Sequence, residues 1–164
     1  MVKVIYRIKQ FYRAAFYRLT NDDRIFIESY LNDSELELFY KLPKYCQVHS
    51  IRVARDVLDE SLKKELYDIF LIKAALLHDI GKINSGFNMF TNAILVIVER
   101  FFPSILKRSK KIKIVNSYFN HPEIAISYID YEDYYIKYLI LNHHNYFIKG
   151  DEKLKILQRC DCKN

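Results

Sequence analysis

Apolar residues recur along most of this chain at intervals of three and four, the period of an amphipathic helix. In residues 2–19, Val4, Ile8, Phe11, Ala15 and Leu19 share one face, and Lys3, Arg7, Gln10, Ala14 and Arg18 lie opposite. The pattern predicts a basic amphipathic helix laid over a core. Asn21 or Asp22 is expected to cap a second helix ending near Leu31, and Asp33 or Ser34 a third that closes at Pro43. A fourth runs from Lys44 to about Glu60, with Cys46, His49, Val53 and Val57 along one stripe. Ser61 is expected to cap a fifth, which continues through the apolar run KAALLHD to Gly81. Another covers about Asn88 to Phe102 and ends at Pro103; residues 104–118 read as a basic, irregular stretch, a connector or a short helix. His121-Pro122 opens a helix with proline in its first turn. Two more cover about Asp133 to His144 and Asp151 to Asp161.

Composition strengthens the helical reading. Three glycines and three prolines in 164 residues are too few for turn-rich β architecture. No phosphate-cradling glycine loop is present. With 51% hydrophobic and 28% charged residues the chain is globular, and its length suits a single domain. The longest uninterrupted apolar run, Ala93 to Val98, is too short to span a bilayer. Cys46, Cys160 and Cys162 form no CxxC and read as free thiols, so a cytoplasmic location is expected. The net charge of +6 suits an acidic partner. Nucleic acid or an anionic membrane could engage helix 2–19 or the run Lys107, Arg108, Lys110, Lys111 and Lys113, but a solvated face is the favoured reading of both.

The chemistry concentrates in the histidines. His49 lies on the inward stripe of its helix. His78 follows Ala74 and Ala75 at helical spacing, with Asp79 beside it. His143 follows Ile136, Leu139 and Ile140, and His121 stands at a helix entrance. A carboxylate at the inner end of a buried helix costs several kcal/mol unless it is paired or bound to a cation. Several inward imidazoles with inward aspartates therefore argue for a metal held between helices. Nitrogen and carboxylate donors suit Mn, Fe, Co, Ni or Zn and argue against Ca.

These residues also resemble the HD-domain metal-dependent phosphohydrolases, whose signature is His, then His-Asp, then a late Asp, on an all-helical fold. Here the elements are His49 in CQVHSIRVARDV, His78-Asp79 in ALLHDIGK and Asp161 in LQRCDCKN. His121-Pro122-Glu123 and His143-His144 fall where two-metal members add histidines. The resemblance implies an all-α, single-domain helical bundle over residues 44–164, with residues 1–43 as an N-terminal helical extension packed on it. It implies two divalent transition-metal ions. His49, His78, Asp79 and Asp161 would hold one, and Asp79 would bridge to a second held by His121 and His143. Lys82 would face the substrate phosphate, and His144 would contact substrate or act as a further ligand. Two such ions about 3.5–4 Å apart can share a water and acidify it. The implied activity is hydrolysis of a phosphoanhydride or phosphoester bond in a nucleotide by a metal-bridging hydroxide, with Asp79, Lys82 and His144 as the catalytic groups. Members that cleave cyclic dinucleotides carry a Gly-Tyr-Pro loop after their His-His pair; this chain reads HHNYFIKGDEKL there, without it. The competing expectation is a non-catalytic HD-fold module that senses or binds a nucleotide.

Overall fold

The computed structural model describes residues 18–83, 85–86, 88–109, 111–129 and 134–164. Most of the basic helix expected at 2–19 lies outside these residues, as do Lys110 and the expected helix start at Asp133. The described chain is built from helices: α1 (Asn21–Glu28), α2 (Asp33–Lys41), α3 (Lys44–Lys63), α4 (Ile69–Leu77), a turn of 3-10 helix (Ile80–Lys82), α5 (Met89–Phe101), α6 (Pro103–Arg108), α7 (Lys113–Tyr128), α8 (Tyr134–Asn142) and α9 (Glu152–Lys163). Among the described residues no strand occurs, so the all-α expectation holds. None of these helices is long and apolar enough to cross a membrane.

The segment IFLIKAALL, apolar on nearly every face, becomes the central helix α4. Leu71, Ile72, Ala74, Ala75, Leu76 and Leu77 are all fully buried, which is what an all-round apolar helix requires. It packs against α3, α8 and α9. Each large aliphatic side chain removed from water there contributes about 1.5–3 kcal/mol. Ile27, Leu31, Phe39 and Leu42, from the first two described helices and their turns, sit in the same buried cluster. Lys73 on α4 ties that region down by reaching both carboxylate oxygens of buried Glu35 at 2.9 Å. Glu35 also accepts from the backbone N–H of Asn32 (2.7 Å), closing the capping box of α2.

Several boundaries differ from the sequence reading. The caps of α1 and α2 are Thr20 and Asn32, each just before the expected residue. Ser61 caps nothing. It is buried on α3, four residues beyond Val57 on the same stripe, and its hydroxyl donates to the Leu58 carbonyl at 3.0 Å. The helix ends instead at Lys63, and the chain turns away at Glu65, whose φ of 56° is left-handed. Leu66 N–H bonds the Ser61 carbonyl (2.8 Å) and Glu65 N–H the Leu62 carbonyl (3.1 Å), a Schellman closure formed without glycine. Asp68 caps α4 through the N–H of Phe70 at 2.9 Å. Of the two readings of 104–118 the helical one applies to most of the stretch, which is more regular than expected, because Leu106 and Val115 bury themselves with Leu95 in a small second cluster. Pro122 lies inside α7, just after a kink at Asn120 (φ −116°, ψ 16°); the arm before it runs directly into the arm that His121-Pro122 opens.

The 3-10 turn after α4 packs tightly on α7. Ser117 donates to the Gly81 carbonyl at 2.8 Å. A Cβ at Gly81 would overlap the His121 carbonyl oxygen and lie 2.7 Å from its carbonyl carbon. Only glycine allows the two backbones to meet here. Gly81→Ala is expected to lower stability by about 2–3 kcal/mol, since rigid backbone, not a flexible side chain, opposes the methyl. Urea unfolding of the variant checks this; an unchanged midpoint would mean the contact is loose.

Candidate metal centre

Three histidines stand at points where a helix ends or breaks. His78 directly follows α4, His143 directly follows α8, and His121 follows the α7 kink. A helix end leaves its last carbonyls without intrahelical partners, and each imidazole uses one. His78 Nδ1 lies 2.8 Å from the Ala75 oxygen, His121 Nδ1 3.1 Å from that of Tyr118, and His143 Nδ1 2.5 Å from that of Ile140. Each partner is three residues upstream. At His121 the cause is explicit in the sequence. Pro122 has no N–H to give the carbonyl four residues back, which is that of Tyr118. An Nδ1–H donating to a carbonyl fixes the tautomer and leaves the Nε2 lone pair facing the other way.

Those lone pairs converge. His121 Nε2 and His143 Nε2 are 3.2 Å apart. His78 Nε2 is buried without a hydrogen-bond partner, with Asp161 Oδ1 at 3.6 Å and Asp79 Oδ1 at 3.7 Å. Asp79 Oδ1 is 3.5 Å from His121 Nε2. From α3, His49 Nε2 meets Asp161 Oδ1 of α9 at 3.0 Å. His144 Nδ1 lies 3.8 Å from Asp161 Oδ2, with its side chain about half exposed. The structure thus brings His49, His78, Asp79, His121, His143, His144 and Asp161 together from five parts of the chain. Three overlapping trios could each hold an ion: His49, His78 and Asp79; His78, His143 and Asp161; and His121, His143 and His144.

The residues fit a divalent cation. Two imidazole lone pairs at 3.2 Å repel unless a proton or a cation lies between them. A proton is disfavoured: burial, with Lys82 nearby, pushes His121 down to about 3, and burial together with His78 and His144 drives His143 well below its usual range. The unpartnered His78 nitrogen, facing Asp79 and Asp161, would accept a cation or, without one, a proton that those carboxylates favour. Burial alone would raise the Asp79 carboxyl, but Lys82, His78 and His121 hold it well below the usual carboxylate range. Asp161 is likewise lowered against its burial, by His49 and His78. Both aspartates are therefore anionic, and nitrogen with carboxylate is a transition-metal donor set.

Lys82, expected at a substrate phosphate, rests its Nζ 2.6 Å from Asp79 Oδ1. It supplies in place the positive charge that a buried carboxylate requires. Two neighbours escaped the sequence reading. Burial raises the Cys46 thiol to about 12, with Asp79 adding to the effect, so it stays protonated. The Tyr45 hydroxyl is also raised by burial, with contributions from Cys46 and Asp79. The signal for Tyr45 was its spacing of four from His49 on α3.

The depressed imidazoles make a pH prediction for protein stripped of metal. His121, His143 and His144 are all held below their ordinary 6.5, so the unfolded chain binds more protons than the folded one. Their contribution is complete above about pH 6.5 and is lost as pH falls below it. His78 is raised, because Asp79 and Asp161 outweigh burial; it acts in the opposite sense and offsets part of the loss. The urea midpoint is expected to fall between about pH 7 and pH 5. A midpoint that rises over that window would show these rings to be protonated in the fold.

A family model described as HD domain matches residues 47–162. No curated protein and no solved structure matches the chain. The matched span includes His49, the His78-Asp79 doublet and Asp161, and it covers well over half of the sequence. The chain therefore belongs to the HD domain family, within the metal-dependent phosphohydrolase superfamily.

Proposed function

We propose that this chain is a metal-dependent hydrolase of a phosphoanhydride or phosphoester bond in a nucleotide. One observation carries the reading. Three carbonyl-clamped imidazoles direct their free nitrogens, alongside two anionic aspartates, into a single buried place. His49, His78, Asp79 and Asp161 would hold one ion; His121 and His143, with Asp79 between, would hold a second. Divalent ions bound there would acidify water and offset the charge that gathers on phosphoryl oxygens.

The protein groups divide the remaining work. Asp79 is shared by His78, His121 and Lys82 and sets the spacing of the two halves. Lys82, beside Asp79, would present its charge to a substrate phosphate were a metal ion to take over the neutralisation of Asp79. His144 is the ring on the open side, half exposed and beside Asp161. Burial lowers its pKa. It is placed to meet the leaving group and hand it a proton. The net charge of +6 favours approach of a polyanionic substrate.

Metal analysis of the purified protein, with phosphate release measured over a panel of nucleotides and a generic phosphodiester in Mn, tests the reading. Bound metal near two equivalents with turnover is expected; no metal and no turnover across the panel would instead leave a nucleotide-binding module. Metal at a hundredfold excess over its Kd is expected to stabilise the fold by about 2.7 kcal/mol, read as a rise in Tm that a chelator reverses and that Asp79→Asn abolishes. His144→Ala should retain its metal and lose roughly a hundredfold in kcat. An unchanged rate with unchanged metal would remove the proton-transfer role.

A further inference from the structure

The helix pair α5–α6 stands apart from the main core. It buries only a small cluster, Leu95 and Leu106 against Val115 of α7. Its outer side is apolar. Ile94, Ile97, Phe101, Phe102, Ile105 and Ile112 are each more than half exposed, Phe101 at 70%. Ile94, Ile97 and Phe101 fall at spacings of three and four, on one face of α5. A contiguous exposed apolar face of this kind marks an interaction surface.

Charge says what kind. Residues 88–113 contain six cations and a single carboxylate, against a net +6 for the whole chain. Arg100, Arg108, Lys111 and Lys113 are exposed around the apolar face. The one carboxylate, Glu99, is turned to the other side of α5, where Tyr118 of α7 donates to it at 2.6 Å. The surface therefore offers aliphatic and aromatic side chains rimmed by positive charge, the segment's single acid, Glu99, being exposed but engaged by Tyr118 on the opposite side of α5. A second copy of this chain would bring two such rims together, and like charges oppose that. Residues 1–17 carry four cations and no carboxylate, so charge also disfavours that segment as the cover. Nucleic acid would satisfy the cations but leave the isoleucines in water. A lipid surface with anionic headgroups satisfies both: headgroups meet the Arg and Lys rim, and the apolar face enters the acyl boundary.

We propose that α5–α6 is a docking surface for an anionic membrane, on which the helices lie in the plane of the interface instead of crossing it. The absence of a spanning helix among the described residues agrees with this arrangement. Docking is independent of the hydrolase reading, since it uses none of the metal-centre residues.

Cosedimentation of the full chain with vesicles tests the proposal. Vesicles of phosphatidylcholine and phosphatidylglycerol in equal parts should bind the protein at least about tenfold better than phosphatidylcholine alone, and salt should weaken the binding. Phe101→Ser combined with Ile105→Ser should lower partitioning roughly tenfold or more. Changing Arg108, Lys111 and Lys113 to Gln should cost about fivefold for each cation removed. These side chains are exposed, so helicity and Tm should stay at wild-type values. Equal binding to both vesicle types, or variants that bind like wild type, would overturn the proposal. So would a wild-type dimer that the serine pair disperses, or capture of single-stranded RNA with vesicles ignored.

Discussion

The candidate metal centre depends on one local bond repeated three times, from an imidazole Nδ1–H to the carbonyl three residues upstream. His78, His121 and His143 each make it. The bond does two things at once. It satisfies a carbonyl that a helix end would otherwise leave to solvent, and it turns the opposite ring nitrogen inward with its lone pair bare. A helix terminus and a ligand direction are thus the same structural fact. Remove the helix end and the ring has no fixed orientation; remove the ring and a buried carbonyl loses its donor.

The backbone has to place those three ends together, and glycine permits it. Because Gly81 has no side chain, the turn after α4 can lie against the His121 backbone, with Ser117 bonding the Gly81 carbonyl. That contact sets the His78-Asp79 doublet beside His121. The α8 end delivers His143, and α3 and α9 deliver His49 and Asp161 from opposite parts of the chain. The charges then hold one another. Asp79 and Asp161 are anionic despite burial because imidazoles and Lys82 surround them, and His121 and His143 stay neutral because burial and those same positive groups disfavour a second proton.

The rest of the molecule divides by burial. The central helix is enclosed on its sides by α3, α8 and α9, and the Lys73–Glu35 pair anchors the N-terminal helices to it. The α5–α6 pair is enclosed much less, and the segment 88–113 that contains it and the turn after it carries most of the excess positive charge. The residues proposed to hold metal thus lie apart from the apolar, cationic face proposed to dock on a membrane, so either can be altered without the other.

Periodicity and composition were sufficient for the helical class, for the central run ending in HDIGK and for the inward direction of His49, His78 and His143, because these follow from helix period and apolar content alone. Local signals misled where they had two meanings. Ser61 has the chemistry of a cap, but its small hydroxyl also fits a buried helix face, and only the left-handed Glu65 decided where α3 stops. The basic stretch after Pro103 looked irregular because its few apolar positions acquire a partner only when α5 and α7 come together. Which nitrogens face each other, that Lys82 rests on Asp79, and that Tyr45 and Cys46 border the site were decided by the tertiary structure. Which nitrogens face each other is a distance between segments far apart in the chain, which spacing along one helix does not hold; Lys82 and Asp79 are only three residues apart, but their contact depends on the 3-10 turn between them.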